Sequence, residues 1–317
     1  MILAVALNPA LDVTYHVDGV DWAGVNRPAR VAARAGGKGL NVARVLHALG
    51  TPVRVTGLAG GPAGEAVLAG LAEAGLPAAF TAIAGPTRQT VAVVDTSRGE
   101  TALFNEPGPR VSPAEYEQFS RDYRQQLGDA AAVVLSGSLP PGADPGSYAE
   151  LIRAAAAAGV PAVLDSSGAA LLAGVAAGPA IVKPNLAELE QAAGASLAAA
   201  GSPDDLAVSR AAASLAGRGA GAVVVSLGAH GLLAMTGTGC WRAEPGCQVA
   251  GNPTGAGDAV VAGLADGLVR GLPWADRLRH ACALGTAAAA APAAGEFCQD
   301  DYERALAGVR LAGKGEG

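Results

Sequence analysis

Lysine is almost missing from this chain: of 22 basic residues only Lys38, Lys183 and Lys314 are lysines, and the other 19 are arginines. Aromatic residues make up 4% and charged residues 16%, against 50% hydrophobic residues. That balance excludes a disordered chain and suits a well-buried globular enzyme. The four cysteines (Cys240, Cys247, Cys282, Cys298) have no CxxC spacing, so neither a zinc site nor a disulfide framework is indicated, and a cytoplasmic protein with reduced thiols is expected. Long hydrophobic runs are also lacking. The longest, 286–294, is Ala-rich and too short to span a bilayer. The apolar N-terminus MILAVALNPALD has no basic region and soon meets Pro9 and Asp12, so it reads as a buried first strand rather than a signal peptide. A formal net charge of −6 gives no electrostatic footprint for nucleic acid.

What is present is an alternation of short apolar runs and helical patterns. The runs 2–7, 53–57, 131–135, 162–165, 180–182 and 222–226 are apolar except for Arg54, Thr56 and the terminal Asp165 and Ser226, as expected of parallel strands covered on both faces. Helical patterns lie near 39–49, 63–75, 113–128, 146–159, 203–217, 256–270 and 274–291. Ser112-Pro113 and Ser202-Pro203 each supply an N-cap followed by proline in the first turn. The expected fold is α/β, a doubly wound, mostly parallel sheet flanked by helices. At 317 residues it is read as one domain over 1–317. Two segments break the pattern. Residues 12–35 and 87–106 alternate with period two, and Asp95-Thr96-Ser97-Arg98-Gly99 marks a hairpin in the second. They predict a small antiparallel β lid inserted into the α/β core. Its exposed edges would be buried by a homodimer formed through the lid.

Four glycine- or proline-marked motifs carry the chemistry. Asn252-Pro253-Thr254-Gly255-Ala256-Gly257-Asp258 precedes an apolar helix. Glycines at a helix N-terminus let backbone N–H groups meet an anion, with Asp258 placed beside them as a proton acceptor. A plain glycine turn with Asp258 favouring the helix dipole is the competing reading. Gly36-Gly37-Lys38-Gly39-Leu40-Asn41 also opens a helix. It has neither Walker A nor Rossmann spacing, which weighs against P-loop kinases and NAD enzymes. Close approach of a sugar, with Asn41 on its hydroxyls, competes there with a tight turn. In Lys183-Pro184-Asn185-Leu186-Ala187-Glu188, Asn185 and Glu188 share one helix face and suit hydrated Mg²⁺, or simply a helix cap. Ser226-Leu227-Gly228-Ala229-His230-Gly231 ends an apolar strand, where nucleotides contact open α/β sheets.

Together these motifs resemble the ribokinase/PfkB family of carbohydrate kinases over essentially the whole chain. GGKGLNVARVLHALG, KPNLAELE and NPTGAGDAVVAGLADGL resemble its signatures, while LNPALD, VNRPAR, TRQTVAV, SGSLPPG, LDSSGAAL and VVVSLG resemble its hexose-phosphate branch. The resemblance implies a ribokinase-like fold and ATP-dependent phosphorylation of a ketohexose phosphate: fructose 1-phosphate, or tagatose 6-phosphate. A 6-phosphofructokinase or a kinase of an unphosphorylated sugar or nucleoside is the alternative, and a non-catalytic sugar-phosphate sensor the alternative of another class. By that resemblance Asp258 is the base and Gly255, Ala256 and Gly257 form the anion hole. Asp12, Gly37, Asn41 and Ser138 hold sugar hydroxyls, and Arg27, Lys38 and Arg88 face the substrate phosphate. Lys183, Ser226, Gly228 and Gly231 lie near ATP with Asn185, and Asn185 and Glu188 organise Mg²⁺ through water. The commonest C-terminal signature begins D-T where this chain has Asn252-Pro253, so no carboxylate acts at 252.

Overall fold

Every residue of β1 (Ile2–Ala6) is buried because the strand is covered on both faces. Ile2, Ala4 and Ala6 pack into one hydrophobic core, and Leu3 and Val5 into another. The period-two geometry of a strand thus accounts for an unbroken apolar run. The computed structural model describes residues 1–199, 202–246, 249 and 254–315. After β1 come β2 (Ala10–Val17), β3 (Arg30–Gly36), α1 (Lys38–Ala48), β4 (Val53–Ala59), α2 (Gly61–Glu73), β5 (Ala78–Ala82), β6 (Arg88–Asp95) and β7 (Glu100–Asn105). Next are α3 (Pro113–Gln126), β8 (Ala132–Ser136), α4 (Ser147–Ala157), β9 (Ala162–Asp165), α5 (Gly168–Val175), β10 (Ile181–Val182) and α6 (Leu186–Ala193). A ribbon of β11 (Ala198–Ala199) and β12 (Ser202–Pro203) precedes α7 (Asp205–Ala216), β13 (Ala222–Ser226), β14 (Leu232–Thr236) and β15 (Gly239–Glu244). The chain closes with α8 (Ala256–Val269), α9 (Trp274–Ala290), α10 (Gln299–Gly308) and β16 (Arg310–Gly315).

The main sheet is ten-stranded, in the order β16-β15-β14-β13-β10-β9-β8-β1-β4-β5. From β13 to β5 all pairings are parallel, and β14 to β16 add an antiparallel edge. From β1 the chain builds outward to β4 and β5, then returns to β8 on the other side. That reversal is where open α/β sheets gather the loops of a binding crevice. Helices α1, α8 and α9 cover one face, and α3 to α7 cover the other. Among the described residues no helix is long and apolar enough to cross a membrane.

The smaller sheet has the order β3-β2-β6-β7. Its outer pairs are antiparallel, as expected of the lid, but β2 and β6 run parallel. Each emerges just past the end of a main-sheet strand, β1 or β5, and those two strands run in one direction. The hairpin at 95–99 forms around Asp95, whose carboxylate accepts from the N–H groups of Val20, Ser97 and Arg98.

The cap expected at Ser112 is present as a reciprocal box with Glu115. The one expected at Ser202-Pro203 is not: these residues pair in β12, and α7 starts at Asp205. Asp204 caps it instead, accepting from Leu206 N and Ala207 N at 3.0 and 3.2 Å. Helices α5 and α10 and strands β5 and β14 to β16 carried no sequence expectation. Short Ala- and Gly-rich segments such as GAALLAGV in α5 show too little contrast between faces to register a period.

Candidate active site

Helix α8 brings its N-terminus to the crevice. Gly255, its N-cap, has φ +89°, and a Cβ there would lie 2.8 Å from Cα of Ala294. Only glycine takes this left-handed turn without strain or clash. The first N–H groups of α8, at Ala256 and Gly257, have no place in the helical ladder and gain no side-chain cap among the described residues. Both residues line the cavity, and free N–H groups at a helix N-terminus, with the helix dipole, suit an anion.

Asp258, in the same turn, is 6% exposed and accepts a hydrogen bond from Nδ2 of Asn41 at 2.8 Å. Burial, reinforced by the neighbouring Asp165 charge, pushes its pKa up to about 7, against the pull of Asn41, Lys38 and Lys183. A carboxylate poised there exchanges a proton readily near neutral pH.

Asp165, at the C-terminal end of β9, joins the two internal lysines. Its carboxylate lies 3.2 Å from Nζ of Lys183 and 3.5 Å from Nζ of Lys38, and accepts from Ser136 Oγ at 3.2 Å. Burial alone would raise the Asp165 pKa, but Lys183 and Lys38 outweigh it and hold it below the usual carboxylate range. For Lys38, burial lowers the pKa and the carboxylates of Asp165, Glu188 and Asp258 more than restore it. The Asp165 carboxylate thus draws the two ammonium groups together, and Nζ of Lys183 would lie 3.8 Å from a Cβ built at Gly257, in the first turn of α8. Sequence reading assigned Asp165 no role; the signal was a lone carboxylate ending a fully apolar strand.

Two cavities share Gly37, Lys38 and Arg88. The larger, about 810 Å³, runs from Asp12 and Thr90 of the lid past Asp258 to the Ser226–Gly231 turn. The smaller, about 180 Å³, is lined by hydroxyls of Ser136, Ser138, Ser166 and Ser167. Arg88 is fixed between them, donating from Nε to Asn8 O at 3.2 Å and from Nη1 to Glu106 O at 3.4 Å. Burial raises the pKa of Asp12, opposed by its hydrogen bond to Thr90 and by the charges of Arg88, Arg44 and Arg34. Gly36 leaves room for it: a Cβ at 36 would sit 1.9 Å from Asp12 Oδ2. The far end of the larger cavity is apolar, with Leu232, Val260, Cys282 and Ala289 on its wall. The contribution of α9 to this wall was not legible in the sequence.

The larger cavity thus gathers Asp12, Gly37, Lys38, Asn41, Arg88, Lys183, Asn185, Ser226, Gly228, Gly231, Gly255, Ala256, Gly257 and Asp258, and the smaller adds Ser138. Arg27 is not brought together with them in the single chain: it is exposed and lines neither cavity. The β2–β3 register puts Ala10 opposite Gly36 at the site and His16 opposite Arg30 at the far end, and Arg27 lies beyond that. The cavity wall itself follows β2 as far as Thr14, two residues short of that end. Asn252 and Pro253 fall outside the described residues. Asn185 and Glu188 form a capping box, with Asn185 Oδ1 accepting from Glu188 N at 2.8 Å and Glu188 Oε2 from Asn185 N at 2.9 Å. Glu188 Oε1 is 3.9 Å from Lys38 Nζ. Oxygens so engaged fit a hydrated cation held through water better than direct ligation.

The family model of pfkB family carbohydrate kinases matches residues 6–301. Among solved structures, phosphofructokinase-2 from Escherichia coli in complex with fructose-6-phosphate is 31% identical, with a TM-score of 0.85 over 96% of this chain and 98% of that one. The same protein in complex with potassium is 30% identical, with a TM-score of 0.88 over the same shares, 96% and 98%. A possible 1-phosphofructokinase from Thermotoga maritima is 25% identical, with a TM-score of 0.85 over 99% of both chains.

Proposed function

The chain belongs to the pfkB family of carbohydrate kinases and is an ATP-dependent sugar kinase; from that premise we propose that its acceptor is a ketohexose phosphate, which it converts to a bisphosphate. Fructose 1-phosphate and tagatose 6-phosphate are the acceptors we propose. One observation carries this reading: Arg88 and Lys38 stand together over a serine-lined recess beside Asp258. Two cations there exceed what a neutral sugar requires, and a guanidinium fork matches a phosphate. Fructose 6-phosphate is the second reading, favoured by the likeness to the Escherichia coli enzyme that binds it.

In the mechanism we propose, Asp258 accepts the proton of the attacking hydroxyl as its oxygen bonds to the γ-phosphorus and the bond to the ADP oxygen breaks. The N–H groups of Ala256 and Gly257, with Gly255 setting the turn, hold the transferring phosphoryl oxygens. Lys183 and Lys38 neutralise charge on either side of it. Asp12, Gly37, Asn41 and Ser138 hold the sugar, and Ser226, Gly228 and Gly231 the nucleotide. Asn185 and Glu188 would hold, through water, a magnesium ion that neutralises the nucleotide phosphates. The whole chain works as one kinase domain in the cytoplasm, its lid inserted from about 12–35 and 87–106. Lid closure excludes water that would otherwise compete for the phosphoryl group.

Steady-state kinetics with ATP on fructose 1-phosphate, tagatose 6-phosphate, fructose 6-phosphate and unphosphorylated fructose test the reading. The expected result is a kcat/KM at least about a hundredfold higher on one phosphate than on fructose, the worth of one well-formed charged contact. Preference for fructose would refute it.

A further inference from the structure

A single side-chain hydrogen bond ties α1 to α8 at the crevice. Nδ2 of Asn41 donates to Oδ2 of Asp258 over 2.8 Å, across 217 positions of sequence. Both residues are buried, at 8% and 6% exposure. The amide is also held from behind. Arg44 donates from Nη1 to Oδ1 of Asn41 at 3.4 Å and from Nη2 to the carbonyl of Ala35. Gly295, at φ +76°, comes so close that a Cβ there would lie 3.0 Å from Asn41 Cα and 3.2 Å from its Oδ1. An amide whose oxygen faces a guanidinium must turn its N–H₂ toward the carboxylate; flipped, it would set oxygen against oxygen. This bond also makes the carboxylate unsymmetrical, engaging Oδ2 and not Oδ1.

We propose that Asn41 is a positioning residue for the base: locked by Arg44 and Gly295, its amide holds Asp258 by Oδ2, favours its ionised form, and leaves Oδ1 to take the proton of the acceptor hydroxyl. The inference rests on the reading of Asp258 as the base. It differs from a sugar-hydroxyl contact, which acts on the substrate alone. The charged groups facing Asp258 are Lys38 from α1, Asp165 from the end of β9 and Lys183 from the segment after β10. Burial and Asp165 raise the Asp258 pKa to about 7, and the Asn41 bond opposes them along with the two lysines. Loss of the bond must therefore move the titration upward.

The test is an NMR titration of the Asp258 carboxyl carbon in the free, ¹³C-aspartate-labelled protein, assigned by its absence in Asp258→Asn. It is paired with kcat against pH on the fastest acceptor of the panel above. Asn41→Leu should raise the titration midpoint by roughly one pH unit or more, the worth of a hydrogen bond to a charged group. The acid limb of kcat should follow, with about fivefold lower turnover at pH 7 that recovers as pH rises. Asn41→Ser and Arg44→Gln, milder changes that keep the site polar, should shift it the same way by less. An unmoved midpoint in the folded variants, with only KM for the sugar raised, overturns the inference and leaves Asn41 a sugar contact. Near-wild-type turnover in Asp258→Asn overturns the base reading, and this inference with it; a dead Asp258→Asn with an unmoved midpoint sinks the inference alone.

Discussion

Replacing Arg88 by alanine separates a phosphorylated acceptor from a neutral one. The guanidinium is half-buried and already pinned by Asn8 O and Glu106 O. Of its five N–H donors, two are so used, which leaves a fork of donors for a ligand at little further cost in side-chain entropy. Burial lowers its pKa while Asp12 and Glu106 raise it, and an arginine remains charged in any case. Truncating one partner of a charge pair costs about 2–5 kcal/mol. Arg88 is only partly desolvated and Lys38 shares the recess, so the lower half of that range applies. About 2–3 kcal/mol corresponds to a loss of roughly 30- to 150-fold in kcat/KM on the sugar phosphate. On the unphosphorylated parent sugar the loss should stay within about threefold, and KM for ATP should hold, because the nucleotide end of the cavity is far from Arg88. The assay is kcat/KM for wild type and Arg88→Ala on both acceptors. Equal losses on the two would show that Arg88 does not read the phosphate, and the reading of the acceptor as a hexose phosphate would lose its main support.

Two further outcomes are expected. The lid and its β2–β3 link leave Trp22, Val31 and Phe104 at 68%, 55% and 53% exposure, apolar surface that a second copy would cover; sedimentation should give a dimer at micromolar concentration and a monomer for Phe104→Glu, and a monomeric wild type would refute the proposed homodimer. At the other end of α8, Asp266 accepts from Thr51 at 2.7 Å and pairs with Arg270 at 3.0 Å and His280 at 3.1 Å. Burial raises its pKa, but the bonds to His280, Thr51 and Arg270 together hold it down at about 2. Because the folded pKa is depressed, its stabilisation is present in full above about 4 and is lost as pH falls toward 2. Urea midpoints should therefore reveal about 2 kcal/mol of acid-sensitive stability that Asp266→Asn lacks; equal pH slopes in the two proteins would contradict it.

Part of this protein is determined by local sequence. The runs that became β1, β4, β8, β9, β10 and β13 were legible because a strand covered on both faces is mostly apolar along its length, whatever its neighbours. The lid strands were legible from their alternation, and the helix start at Ala256 from the glycines before it. The rarity of lysine drew attention to Lys38 and Lys183 before any contact was known. The arrangement of these parts was not legible, because it depends on strand order. Only the reversal of the sheet at β1 brings Asp165 against lysines from two other segments, and only the packing of α1 on α8 brings Asn41 to Asp258. The same holds for Arg27, whose chemistry suits a phosphate: only the β2–β3 register shows that it lies beyond the His16–Arg30 pair and lines neither cavity of the single chain. Sequence periodicity records how each residue meets the solvent, whereas the charges that tune Asp258 come from residues up to 220 positions away, and only the tertiary structure sets those distances.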